Sequence, residues 1–380
     1  MRHFLFITTP KSNGGSEFLW LEAATRALEQ GNRVTVACHH DLKVWKELDQ
    51  LIQKGATLVA RPSVPKRTIL RRIFWRMTGN LKPHLRWWLK KFPQPPDVIC
   101  VNQGGSYCAS NMPGLVQWLN CSGTPFVLIC HSHRTHAFPP QIYREELQQC
   151  FRKADKLCFV AQENINAAER YLGVSLAQSL VVQNPLKLQG AEPAPWPTST
   201  DIIRLACVAR LEVKDKGQDL LLDALSEPVW KSRNFQLDLY GNGPDREILE
   251  DLINLYDLGD KVRIAGFESD IRKIWNEHQL LVLPSLSEGT PISLIEAQIC
   301  GRAALVTRVD GNPEWVEEGK TGFLAEAPTV HHLRLALERA WENRDRWAEM
   351  GEAARAACLA KRDPDPAGTL LRLLKAAAEA

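Results

Sequence analysis

None of the ten cysteines stands in a C-x-x-C pair, and most lie within apolar runs. That spacing argues against a zinc site or a disulfide framework and fits buried, reduced thiols. Charge of one sign is scarce too: Lys and Arg total 47 against 44 Asp and Glu, a formal net charge of +3. So balanced a chain gives no global case for nucleic-acid binding. No apolar run approaches the length of a transmembrane helix, and the strand-like run at residues 4–8 is too short for a signal h-region. A cytoplasmic protein is expected, at most peripheral to the inner face of a membrane. No internal repeat is visible either.

What the chain does have is alternation. Short apolar runs at residues 4–8, 33–38, 56–60, 97–101, 125–130, 156–161 and 180–182 are mostly separated by helical patterns. The rhythm predicts a parallel, doubly wound α/β sheet. Residues 188–200 (LQGAEPAPWPTST) are rich in proline and small polar residues and read as a linker. The alternation then restarts at 202–209, 235–240, 261–265, 280–283, 303–307 and 322–325. At 380 residues, two domains are expected, 1–187 and 201–362. Pro364 and Pro366 are expected to interrupt the chain before a last helix at 369–378, within a C-terminal segment, 363–380, that can pack back on the first domain.

Around residues 280–298 the chemistry concentrates. An apolar strand is followed by a polar turn and by Thr290-Pro291, which reads as an N-cap with proline at the first helical position. The amides of Ile292, Ser293 and Leu294 would then lack intrahelical acceptors and form an anion site. Glu288 precedes that site and Glu296 follows it, in the helix's second turn. Carboxylates beside a phosphate site must bind something neutral, and sugar hydroxyls fit. A plainer alternative has Ser293 capping a shorter helix and Glu296 closing a capping box.

Two cations, Arg210 and Lys216, follow the first strand of the second domain; if that strand neighbours the one at 280–283, both reach the phosphate position. In the first domain the strand at 125–130 ends at His131-Ser132-His133, where open α/β sheets bind ligands. Residues 65–92 break the pattern. They are basic, with no acidic residue, and are interleaved with aromatics, including Arg71, Arg72, Trp75, Trp87 and Trp88. This suits an anionic membrane surface or a phosphate-bearing acceptor. The same residues also fit an insertion packed on its own domain, and nucleic acid is the least favoured partner.

The order of motifs resembles the family 4 retaining glycosyltransferases of GT-B fold. It runs through Gly14-Gly15-Ser16-Glu17, the strand ending at His131, Val182-Gln183-Asn184-Pro185, and Ala209-Arg210-Leu211 with Lys216-Gly217. It continues through Gly241-Asn242-Gly243-Pro244, the strand ending at Gly266-Phe267, Ser287 to Glu296 with its E-x7-E spacing, and Gly311-Asn312-Pro313-Glu314 with Gly322-Phe323. The resemblance covers nearly the whole chain. It departs at the turn after Asn102 (Gln-Gly-Gly-Ser) and at 66–92, both on the acceptor side.

The resemblance implies two Rossmann-like domains facing a cleft, and transfer from a UDP- or GDP-sugar to a glycan, glycolipid or lipid-linked acceptor, in cell-envelope polysaccharide or lipopolysaccharide synthesis. It implies no cofactor and no metal. Glu296 would hold the ribose, and Glu288 the transferred sugar. Gly289, Thr290, Pro291, Ile292, Ser293 and Leu294 would line the sugar and diphosphate, with Arg210 and Lys216 neutralising the latter. His131 would face the donor sugar, Gly15 would let the diphosphate approach, and Phe267 would lie by the base. An epimerase-like enzyme acting on the nucleotide sugar alone, or a non-catalytic sugar-nucleotide-binding module, are the competing readings.

Overall fold

Among the described residues, thirteen strands form two wholly parallel sheets. The computed structural model describes every residue except 11–14, 16, 40–44, 61–89, 93, 113, 133–137, 140, 187, 189, 198–200 and 380. Arg71, Arg72, Trp75, Trp87 and Trp88 lie outside the described residues. So does His133.

The first sheet runs in the order β3-β2-β1-β4-β5-β6-β7. Its strands are β1 (His3–Thr8), β2 (Arg33–Cys38), β3 (Thr57–Ala60), β4 (Val98–Gln103), β5 (Phe126–Cys130), β6 (Lys156–Phe159) and β7 (Ser179–Val181). The second runs β10-β9-β8-β11-β12-β13. It is built from β8 (Ile203–Val208), β9 (Phe235–Tyr240), β10 (Val262–Gly266), β11 (Leu280–Leu283), β12 (Ala303–Thr307) and β13 (Gly322–Ala325). The central strands β4, β5, β11 and β12 are buried at every position. Helices cover both faces of such a sheet, which is why these strands read as unbroken apolar runs rather than alternating ones.

The chain divides into Met1–Pro185 with Asp363–Ala380, and Leu186–Arg362. Within the first unit, the helix Pro366–Ala377 packs on the helix Glu17–Glu29. Leu370, Leu371 and Leu374 are buried there with Trp20 and Ala24. Each such leucine contributes about 1.5–3 kcal/mol. Pro366 starts this helix instead of interrupting the chain before it: proline suits the first helical turn, and Asp365 caps it by accepting from the Gly368 amide at 3.1 Å. Phe92, from the aromatic-rich stretch, stacks on Trp118.

In the second unit, part of the proline-rich stretch is tied down. Ala194 is in that unit's core, and the buried Arg302 guanidinium donates to the carbonyls of Ala194 and Pro195, as well as to those of Trp275, His278 and Cys300. All ten cysteines are free thiols; Cys121 is exposed and Cys108 half-buried, the rest buried. No described helix is long and apolar enough to cross a membrane.

Candidate functional site

Each sheet reverses its strand order once, between β1 and β4 and between β8 and β11. At such a switch point the loops leaving adjacent strands diverge to opposite faces and open a crevice at the carboxyl ends. Several of the candidate side chains lie at or beside these two places, whereas Phe267 follows the edge strand β10.

In the second unit β8 pairs with β11 through Leu205 and Leu280, so the loops after Val208 and Leu283 are neighbours. Two glycines make room for the first loop. A Cβ on Gly241 would lie 2.1 Å from the Ala209 carbonyl, and one on Gly243 2.0 Å from that of Leu211. The Gly241-Asn242-Gly243-Pro244 run therefore serves a close backbone approach. A short helix, Val213–Lys216, follows and ends at Gly217, whose φ is +62°. A Cβ there would sit 2.2 Å from the Pro284 carbonyl, so only glycine lets the two loops meet.

The loops are then stitched together. The amides of Leu286 and Ser287 donate to the Asp215 carbonyl at 2.9 and 3.3 Å. Lys216 Nζ donates to Glu288 Oε1 at 2.6 Å, and Ser285 Oγ donates to the same oxygen at 2.7 Å. Asp310 holds the loop from its other side: its Oδ2 accepts from the Glu288 amide at 2.7 Å and from Ser287 Oγ at 3.2 Å. The Gly311 amide adds a bond to the Gly289 carbonyl at 3.1 Å. Asp310 takes a left-handed φ of +43°, which aspartate tolerates better than most residues. Sequence reasoning did not single out Asp310 or Ser285; the available signal was a polar residue shortly after a buried strand, β12 for Asp310 and β11 for Ser285.

The helix after this loop starts one residue later than Thr290-Pro291 suggested. It spans Ile292–Ile299, and Pro291, with ψ of 121°, is the N-cap in extended conformation. No side chain caps it, and Ser293 lies in its first turn. The Leu294 and Ile295 amides already bond to the Pro291 carbonyl, at 3.2 and 3.4 Å, so Leu294 is no longer among the orphan donors. Ile292 and Ser293 precede that ladder. Glu296 is buried in the second turn. Arg210 pairs with Glu212 and keeps a half-exposed side chain, whereas Lys216 turns inward. Phe267, just after β10, is 69% exposed.

In the first unit the carboxyl ends of β1 and β4 carry a buried polar cluster. Glu17 Oε2 accepts from Thr8 Oγ1 at 2.8 Å and from Trp20 Nε1 at 2.9 Å, while its Oε1 accepts from Asn102 Nδ2 at 2.8 Å. Asn102 Oδ1 in turn accepts from His131 Nε2 at 2.6 Å. Burial pushes the His131 imidazole down to about 4, with Asn184 pulling the other way. Gly15 is exposed in the turn before the Glu17–Glu29 helix. Among the described residues, no group of three or more His, Cys, Asp or Glu could hold a metal ion.

The chain is similar to known proteins in sequence and in fold. Residues 13–189 match the family model described as Glycosyltransferase Family 4, and residues 191–357 match Glycosyl transferases group 1. One of the subunits of the human phosphatidylinositol N-acetylglucosaminyltransferase is 35% identical over 162 residues, 42% of this chain and 33% of that one. The putative colanic acid biosynthesis glycosyltransferase WcaL of Escherichia coli K12 is 27% identical over 203 residues, 51% of this chain and 50% of that one. The matches thus span a third to a half of these curated relatives. Among solved structures, Anabaena Alr3699/HepE in complex with UDP superposes with a TM-score of 0.75 at 18% identity, covering 98% of this chain and 100% of that one. The architecture is GT-B: two Rossmann-like units with seven and six parallel strands. The first half of the chain thus resembles the family 4 glycosyltransferases and the second half the group 1 glycosyl transferases.

Proposed function

We propose that the chain is a retaining glycosyltransferase. It moves a sugar from a nucleoside-diphosphate sugar to a hydroxyl of a glycan, glycolipid or lipid-linked acceptor, in cell-envelope polysaccharide or lipopolysaccharide synthesis. The observation that carries this reading is the loop after β11, which brings Lys216, Glu288 and the Ile292–Ile299 helix start together at the switch point.

The roles are those the family resemblance implies, and the charge and burial of Lys216 and Glu288 support theirs. Helix-start amides at Ile292 and Ser293, with Gly289, Thr290, Pro291 and Leu294 around them, favour the diphosphate. Lys216 and Arg210 offset the negative charge that grows as the C1–O bond to the diphosphate breaks. A preorganised donor of this kind is worth about 10²–10³ in rate. Glu288 and Glu296 bind hydroxyls of the transferred sugar and the ribose, Phe267 and Gly15 attend the base and the diphosphate, and His131 takes a sugar hydroxyl. The acceptor oxygen attacks C1 from the face the diphosphate leaves, its proton passing to the departing phosphate oxygen. No metal or cofactor is needed in this scheme.

The acceptor class is supported by the names of the relatives, one acting on phosphatidylinositol and one in colanic acid synthesis. The basic-aromatic stretch at 65–92 (Arg71, Arg72, Trp75, Trp87, Trp88) is proposed to meet that acceptor or the anionic inner face of the membrane. A donor screen tests the reading: nucleotide release from UDP- and GDP-sugars with membrane extract as acceptor, with and without chelator, for the native protein and Glu288→Ala. Release that favours one donor, survives chelation and collapses in the variant is expected. Absence of release with every donor would overturn it in favour of a binding role.

A further inference from the structure

The buried cluster at the β1/β4 switch point has a directional logic. Thr8 Oγ1 and Trp20 Nε1 both lie on Glu17 Oε2, and an indole N–H can only donate. Glu17 is fully buried and its carboxylate accepts on both oxygens. The Asn102 group facing Oε1 must then be the NH2 end, at 2.8 Å, with a longer contact of 3.3 Å to Thr8 Oγ1. That choice turns the Asn102 carbonyl oxygen toward His131. A carbonyl only accepts, so His131 Nε2 must carry the proton, at 2.6 Å. In a neutral imidazole the other nitrogen, Nδ1, is then an acceptor. It is buried, and no group among the described residues makes a hydrogen bond of good geometry to it, although the Asn184 side chain lies near enough to the ring to raise its pKa. Asn184 Oδ1 is a second buried acceptor in the same condition.

We propose that Glu17 and Asn102 are positioning residues which fix the tautomer of His131, so that its Nδ1 accepts a hydrogen bond from a hydroxyl of the sugar substrate. The proposal rests on the reading of His131 as a sugar ligand given above. Each of these links follows from which atoms can donate and which can only accept, so each can be tested by an isosteric change. In Glu17→Gln the amide oxygen still faces Thr8 and Trp20, because Trp20 accepts nothing. The new NH2 then meets the NH2 of Asn102, and Asn102 must rotate end for end. Its NH2 now faces His131 Nε2, which has to become the acceptor, and the proton moves to Nδ1. Adding Asn102→Asp removes the conflict: the carboxylate accepts from the new amide on one side and from His131 Nε2 on the other, restoring the first tautomer.

The test is nitrogen-15 NMR of the full chain with labelled histidine, the His131 ring signals being assigned by their loss in His131→Ala. Native protein is expected to show protonated Nε2 and bare Nδ1, Glu17→Gln the opposite tautomer, and Glu17→Gln/Asn102→Asp the native one. An unchanged tautomer in Glu17→Gln, or protonated Nδ1 in the native protein, overturns the proposal. Should Glu17→Gln not fold, the double variant carries the test, since protonated Nδ1 there overturns it equally. Turnover of the nucleotide sugar is read in parallel. Glu17→Gln is expected to lower kcat/KM about 10- to 100-fold, the scale of one buried hydrogen bond reversed, and the double variant to recover most of it. If the tautomers behave as expected while His131→Ala turns over normally, the tautomer relay stands and the reading of His131 as a sugar ligand fails.

Discussion

Lys216 Nζ lies 2.6 Å from Glu288 Oε1, and the two side chains are only 20% and 8% exposed. The cation expected at the diphosphate and the carboxylate expected at the sugar are therefore partners of each other. Before any ligand arrives, each compensates the other's burial. A donor diphosphate would share Lys216 with Glu288, and the sugar would replace part of what Glu288 loses.

This pairing makes a signed prediction about stability. Lys216→Met leaves the Glu288 carboxylate buried with the Ser285 hydroxyl and without a countercharge, and unfolding in urea should show a loss of about 3 kcal/mol. Adding Glu288→Gln removes the orphaned charge, so the double variant should be more stable than Lys216→Met alone, although neither turns over donor. Losses that simply add would mean that the pair is not coupled.

Gly217 gives a second prediction, in which backbone geometry alone is changed. Gly217→Ala introduces a Cβ 2.2 Å from the Pro284 carbonyl and also strains a φ of +62°. The loops after β8 and β11 must part, taking Lys216 away from Glu288. A loss of about 2 kcal/mol or more is expected, with donor turnover reduced at least tenfold. Gly319→Ala is the control: its φ is +72° but nothing lies within 4 Å, so it carries the strain without the clash. Equal effects in the two variants would remove close approach as the reason for Gly217.

Much of this was legible in the chain because parallel strands buried on both faces leave unbroken apolar runs. Each of the 13 strands lies at a run visible by eye, within a residue or two. Glu288, Glu296 and Lys216 were legible for a different reason, since their spacing follows a buried strand. The helix start was not. Thr290-Pro291 looks like a cap and a first turn, but Pro291 stays extended, and the loop before it is held by Asp310 and Gly311, each 22 residues beyond the loop residue it bonds. Nor could spacing show that Lys216 meets Glu288 rather than solvent, or that Glu17 and Asn102 bear on His131. Those relations depend on strand order, and the reversals at β1/β4 and β8/β11 are not written in any local pattern.

The protonation of His131 supplies the last prediction. Its imidazole is pushed from 6.5 down to about 4 by burial. Between those values the unfolded chain binds a proton that the folded chain refuses, so unfolding becomes easier as pH falls from 6.5 toward 4. The contribution is nil above 6.5 and reaches about 3 kcal/mol against the fold near pH 4. His131→Gln keeps a donor for Asn102 Oδ1 and cannot titrate. Urea unfolding of both proteins across pH 4–7.5 should give curves that run parallel above 6.5 and converge or cross below it, the native protein losing stability faster. Depressed carboxylates elsewhere, such as Asp238, held down despite its burial by His278 and Arg263, act on both proteins alike and cancel in the difference. Parallel curves over the whole range would mean that the folded chain accepts the proton. His131 would then be a cation whose two nitrogens both donate, and it could not accept a hydrogen bond from a sugar hydroxyl.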